Sequence, residues 1–199
     1  MRALLIRHGQ TPGNAEGRYI GRTDEALSLE GRAAAVTVAV RMKPELSPRL
    51  VYVSPLKRAR ETASILFPEA AQRVLPDLRE MDFGDFEGRN AAELEADPAY
   101  RAWVDGWCLA PCPNGEDRAS FQRRAVKAFV ETVRGCEDAP AVFVTHGGVS
   151  MAVLEALAEP KREFYDYWLP NLGCYAADCV ERDGRLILQG LRQIDLAKE

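Results

Sequence analysis

Leu4-Leu5-Ile6-Arg7-His8-Gly9-Gln10-Thr11 is an apolar run of strand length that ends abruptly in a cation, an imidazole and a glycine. Such a run reads as a buried strand, and its polar end falls where ligands bind in α/β sheets. The chain's only other histidine, His146, closes a matching stretch, Ala141-Val142-Phe143-Val144-Thr145-His146-Gly147-Gly148. Two apolar strands therefore each carry a histidine followed by glycine to a strand end.

Between and beyond these strands the pattern alternates. The polar loop from Pro12 to Ser28 leads into a helix on which Leu29, Ala33, Val36 and Val40 share one face, ended by Pro44 and Pro48. Leu50 to Val53 reads as a second strand. Ser54-Pro55 then supplies an N-cap and a first-position proline for a helix whose buried stripe is Leu56, Ala59, Ala63 and Leu66. Arg58 thus falls in the first turn of a helix that begins at a strand end. Gln72 to Leu75 is a short third strand, and Leu78 to Gly88, rich in acid and glycine, is a loop. Helices are expected over Ala91 to Glu95, Pro98 to Trp107 and Glu116 to Val133, the last with Phe121, Ala125, Ala128 and Thr132 facing inward. The strand bearing His146 leads to a helix opened by Gly147-Gly148 that buries Val149, Val153 and Leu157. Cys174 to Val180 and Arg185 to Leu191, joined at Asp183-Gly184, form a closing hairpin. No repeat or low-complexity segment interrupts this order. The expected fold is a single α/β domain over residues 1–199, a three-layer α/β/α sandwich whose mainly parallel sheet has an antiparallel edge strand.

Composition bounds the function. A chain of 199 residues, 47% hydrophobic, can bury one substantial core. A net charge of −4 argues against a broad surface for nucleic acid or anionic membrane, so an anionic ligand must be met by a local cluster of cations. The five cysteines, Cys108, Cys112, Cys136, Cys174 and Cys179, contain no C-x-x-C pair and suggest reduced thiols. With a strand starting at once and no apolar run of spanning length, a cytoplasmic protein is expected.

Folded this way, the strand ends gather Arg7, His8, Arg58 and His146 beside the helix amides at Gly147-Gly148. Phosphate is the natural guest, because guanidinium matches its oxygens in pairs and helix N-termini favour anions. A neutral imidazole is a competent nucleophile toward phosphorus once arginines withdraw charge. An alkoxide is a poor leaving group, so a positioned acid is needed. Glu80 is the candidate, with Asp82, Asp85 and Glu87 as neighbouring carboxylates.

Four segments occur in order: Arg7-His8-Gly9-Gln10-Thr11 with Asn14; Ser54-Pro55-Leu56-Lys57-Arg58-Ala59 with Thr62; Leu78-Arg79-Glu80 with Phe83-Gly84; and Thr145-His146-Gly147-Gly148. Together they resemble the histidine phosphatase superfamily, with its phosphoglycerate mutase-like fold. The resemblance implies that His8 is phosphorylated, that Arg7, Arg58 and His146 hold the phosphoryl oxygens with Asn14 assisting, and that Glu80 protonates the leaving oxygen. No metal or cofactor is then expected, since the arginines supply the neutralisation that magnesium gives elsewhere.

The superfamily contains phosphatases and mutases. Mutases carry a tyrosine, a lysine and two adjacent arginines that grip a glycerate carboxylate; here the nearest positions read Phe83, Ala91 and Val104-Asp105, and Arg123-Arg124 lies in a different helix. Water is therefore the expected acceptor, with a phosphoglycerate mutase and a non-catalytic binder of phosphorylated ligands as the alternatives. Gly17-Arg18-Tyr19, Gly21-Arg22-Thr23-Asp24 and Leu27-Ser28 are similar to the loop of α-ribazole phosphatases of cobalamin assembly, though broad-specificity small-molecule phosphatases share much of it. Arg18, Tyr19, Arg22 and Thr23 are accordingly candidates for substrate binding, their rival role being to solvate a loop. Trp103 and Trp107 read as packing residues. The expected partner is a small phosphomonoester, and a homodimer is the one protein assembly entertained.

Overall fold

Side chains alternate across a strand, and in the central strands both faces are apolar. In β1 (Arg2–Arg7), Ala3 and Leu5 enter one core while Leu4 and Ile6 enter another. The computed structural model describes residues 1–42, 46–137 and 140–196. The remaining strands are β2 (Leu50–Val53), β3 (Ala71–Val74), β4 (Ala141–Thr145), β5 (Cys174–Arg182) and β6 (Arg185–Ile194). The helices are α1 (Pro12–Ala15), α2 (Leu29–Arg41), α3 (Lys57–Leu66), α4 (Ala91–Leu94), α5 (Pro98–Asp105), α6 (Arg118–Arg134) and α7 (Gly147–Leu157).

The six strands form one sheet in the order β3-β2-β4-β1-β5-β6. β3, β2, β4 and β1 run parallel, and β5 and β6 close the sheet as an antiparallel hairpin. The antiparallel edge is therefore two strands wide. Its turn places Asp183 at φ 51° and Gly184 at φ 74°, the left-handed pair that a tight two-residue hairpin demands. Helices α6 and α7 cover one face through Phe121, Phe129, Val149 and Val153, and α3 covers the other through Ala59, Ala63 and Leu66. β1 and β4 lie side by side, with Arg7 in register with Thr145, so His8 and His146 leave the sheet at the same edge.

Several expectations shift. In α2 the face turned inward is Gly31 and Ala35, while Leu29, Val36 and Val40 are exposed. Gly31 approaches the backbone of Gln10 so closely that a β-carbon would collide with its carbonyl oxygen, so the smallest side chains must form the contact. α2 ends at Arg41, and Pro44 lies outside the described residues. Ser54 does not cap α3. That helix begins at Lys57, whose amide donates to Asp24 Oδ1 at 2.7 Å, and the Ser54 hydroxyl serves the site described below. In α6, Phe129 and Val133 take the inward positions and Ala128 and Thr132 are half-buried, because steps of four from Phe121 follow the contact line. The loop from Leu78 to Gly88 contains a short 3-10 turn at Gly84–Phe86. Trp103 is buried, whereas Trp107 is exposed and packs little. Among the described residues no helix is long and apolar enough to cross a membrane, and no two of the five cysteines are bridged.

Phe129 packs against Phe143 with ring centroids 4.8 Å apart and the planes tilted by 40°, and is fully buried at the α6–sheet contact. Replacing it with Ala is expected to cost about 3–5 kcal/mol. Urea denaturation checks this, and a loss below about 1 kcal/mol would show that the site collapses without a cavity.

Candidate active site

His8 follows β1 directly and is 3% exposed. Its Nδ1 lies 2.6 Å from the Gly9 carbonyl, which can only accept, so the ring proton sits on Nδ1 and the Nε2 lone pair is left free. Burial, then the charge of Arg58, holds His8 well below the ordinary imidazole pKa and keeps it neutral. The backbone around it is fastened: His8 N–H donates to Thr145 O at 2.9 Å, Gly9 N–H to Thr62 Oγ1 at 2.9 Å, and Asn171 Nδ2 to His8 O at 3.0 Å. The ring is thus held in one tautomer and one orientation.

Arg7 donates from Nη1 to Leu169 O, while its buried Nε has no hydrogen-bond partner among the described residues. A buried donor without an acceptor is costly, and an anion beside His8 would relieve that cost. Gly147 lets α7 pass close to this guanidinium: a β-carbon there would lie 3.5 Å from Arg7 Nε. Asn14 Oδ1 accepts from Thr11 N and Asn171 Nδ2, which leaves its NH2 group to donate.

Arg58 and His146 form a layer behind His8. The His8 and His146 ring centroids are 5.1 Å apart. Arg58 is fully buried and donates to Thr23 O, Ile20 O and Gly21 O through its two Nη groups, and from Nε to His146 Nδ1 at 3.3 Å. One Nη1–H is left over. His146 in turn donates from Nε2 to Ser54 Oγ at 2.6 Å, so both of its ring nitrogens are engaged, and burial, then Arg58, depresses its pKa well below the ordinary value. Contact of His146 with a phosphoryl oxygen requires giving up one of these partners.

Glu80 lies opposite. Its Oε1 accepts from its neighbour Met81 N–H at 3.0 Å and its Oε2 from Gly148 N–H at 3.0 Å, in the first turn of α7. The helix-end amide expected at a phosphate is thus taken by the carboxylate. A β-carbon on Gly148 would collide with Glu80 Oε1, so glycine is required for this approach. Burial pushes the Glu80 pKa above the usual carboxylate value, against the opposing pull of those two amides and of Arg58 and Arg7. The rival carboxylates have other partners: Glu87 binds the amides of Gly21, Arg22 and Thr23, Asp82 binds Gly84 N, and Asp85 binds Asn114.

One cavity of about 360 Å³ opens at this site, and neither Arg58 nor His146 lines it. Arg7, His8, Asn14 and Glu80 line it together with the rings of Tyr19, Phe83, Trp103, Phe164, Tyr165 and Trp168. Tyr165 and Trp168 are more than half exposed, so the cavity runs from a buried polar end to an open aromatic end. Of the loop candidates, Arg18 and Tyr19 line it, Arg18 tied to Glu16 and Glu93 and Tyr19 hydrogen-bonded to Tyr100. Arg22 and Thr23 do not line it. They pin the loop, Thr23 through Glu87 and Arg58, Arg22 through Glu87 and Asp82. Sequence reading missed Asn171, the Ser54 contact and the aromatic wall beyond Gly148, whose members carry no motif.

A model of the histidine phosphatase superfamily, branch 1, matches residues 3–190. Adenosylcobalamin/alpha-ribazole phosphatase of Salmonella typhimurium is 33% identical over 183 residues, 89% of each chain. The crystal structure of the alpha-ribazole phosphatase from Shigella flexneri superposes with a TM-score of 0.81 at 28% identity, covering 98% of this chain and 96% of that one. A Thermus thermophilus structure described as a phosphoglycerate mutase gives 0.69 at 35% identity, over 94% and 96%.

Proposed function

This chain belongs to the histidine phosphatase superfamily, and from that premise we propose that it hydrolyses the phosphomonoester of a small metabolite with an aromatic aglycone, α-ribazole 5'-phosphate being the substrate of choice. That it is a small-molecule phosphatase follows from the family and from its phosphatase relatives. The observation that carries the phosphohistidine route is the His8 tautomer: Nδ1 is tied to Gly9 O and Nε2 is left free in a cavity shared with an arginine nitrogen unpartnered among the described residues and a carboxyl of raised pKa.

The reaction divides into two steps. His8 Nε2 attacks phosphorus and the bond to the ester oxygen breaks, while the Glu80 carboxyl passes its proton to that oxygen and frees the alcohol. A water then attacks the phosphohistidine with Glu80 taking its proton, and the P–N bond electrons return to Nε2. Arg7 and Asn14, which line the cavity, hold the phosphoryl oxygens, and Arg58 adds its charge from behind the lining. His146 fixes Arg58 and supplies a further donor if it releases Ser54. No step calls on a metal, the charge of the transferring group being met by the guanidiniums.

The aromatic end supports the choice of aglycone, since planar rings are held by offset and edge contacts of this kind. It also disfavours a glycerate. Apart from Arg7, the cations lining the cavity, Arg18 and Arg118, are already paired with carboxylates: Arg18 with Glu16 and Glu93, Arg118 with Glu155. A panel of α-ribazole 5'-phosphate, 3-phosphoglycerate and sugar phosphates tests the reading. Release of free phosphate is expected, with kcat/KM for the ribazole ester at least about 10-fold above the sugar phosphates. Isomerised phosphoglycerate in the presence of a bisphosphate primer would establish the mutase instead, and equal rates across the panel would remove the aromatic preference.

A further inference from the structure

The acid carboxyl stands on a segment with little regular structure of its own, so something else must fix its place. Arg124, on α6 and outside the cavity lining, uses every one of its five N–H donors there. Nε and Nη2 grip Glu116 in a two-pronged ion pair at 2.7 and 2.8 Å. Nη1 donates to Asp77 O at 2.8 Å and Arg79 O at 2.7 Å, and Nη2 to Glu80 O at 2.9 Å. Glu116 meets the same segment from the other side, its own amide donating to Asp82 O at 2.9 Å and its Oε2 accepting from Asp82 N at 3.4 Å. Both side chains are largely buried, at 12% and 16% exposed, where such charge-assisted bonds hold geometry well.

We infer that Arg124, with Glu116 as its counter-ion, is a positioning residue for the proton donor: it clamps the backbone on both sides of Glu80 so that the carboxyl rests between Gly148 N–H and the phosphoryl seat. The same saturation of donors excludes Arg124 from gripping a substrate carboxylate. Lysine cannot replace it, because one ammonium with three donors cannot span three carbonyls and a bidentate carboxylate. The inference rests on the assignment of Glu80 as the acid.

The test compares kcat/KM for an alkyl phosphomonoester and for p-nitrophenyl phosphate, whose leaving group needs little protonation, in Arg124→Lys, Glu116→Gln and Glu80→Gln, with the inhibition constant of inorganic phosphate read in parallel. Arg124→Lys is expected to lose about 10- to 100-fold on the alkyl ester and no more than about 3-fold on the aryl ester, with phosphate inhibition within about 2-fold of the parent. Glu116→Gln should show the same signature at smaller amplitude, and it decides the matter if Arg124→Lys does not fold. Equal losses on both esters, or a fall in thermal stability alone with the ratio unchanged, would overturn the positioning role while Glu80→Gln still discriminates. If Glu80→Gln itself fails to discriminate, the acid assignment falls and this inference with it.

Discussion

Replacing His8 by Ala is expected to lower phosphomonoester turnover by about 10⁴- to 10⁶-fold, the scale on which removing a covalent nucleophile acts. The fold should survive. The imidazole packs against His146 and makes one short contact to its neighbour's carbonyl, and the strand that delivers it is held by β4 and β5 independently. Arg7 and Asn14 remain, so the variant should still bind inorganic phosphate, which calorimetry can measure. In the parent, alkaline quenching during turnover should trap phosphate on this one side chain, identified by peptide mass. Hydrolysis at the parent rate by His8→Ala would remove the nucleophile assignment outright.

The second large effect concerns Glu80. Glu80→Gln preserves the shape and an acceptor for Met81 N–H or Gly148 N–H but has no proton to give. Loss of general acid catalysis is expected to cost about 10²–10⁴-fold in kcat/KM on alkyl phosphates and only a few-fold on p-nitrophenyl phosphate. The pH profile carries the same information with a definite sign. His8 must be neutral, and its pKa is held well below 6.5, so activity persists as pH falls below that value. Glu80 must be protonated, and its pKa is raised from 4.5, so acid catalysis extends above that value before failing as pH rises. An acidic optimum follows for alkyl esters, and its basic limb should be missing in Glu80→Gln. Equal losses of this variant on both classes of ester would take Glu80 out of the acid role.

Much of the site was legible because it is local. Arg7-His8-Gly9 and His146-Gly147-Gly148 each end an apolar run that is buried on both faces, and a polar group at such a strand end has few places to go but the sheet's binding edge. Arg58 was legible from a helix start at a strand end as well as from the four ordered segments, whereas Glu80 was singled out from its neighbours only by those segments. Neither spacing nor period distinguishes Glu80 from Asp82, Asp85 or Glu87, and it took the loop's folded contacts to show that Glu87 is consumed by four amides and that Asp82 and Asp85 bind elsewhere.

The sequence by itself determined the layered sheet, the strand ends that carry the two histidines and the closing hairpin, since each depends on periodicity or turn chemistry within a short window. Only the tertiary structure decided which face of α2 is buried, that Ser54 serves His146 and leaves Asp24 to cap α3, that Arg22 and Thr23 brace a loop outside the cavity, and that Arg124 grips the backbone around Glu80. The physical reason is common to all four. A small face such as Gly31 and Ala35 wins only when a particular backbone comes near enough to use it, and a polar side chain has several acceptors of equal worth until folding brings one within about 3 Å.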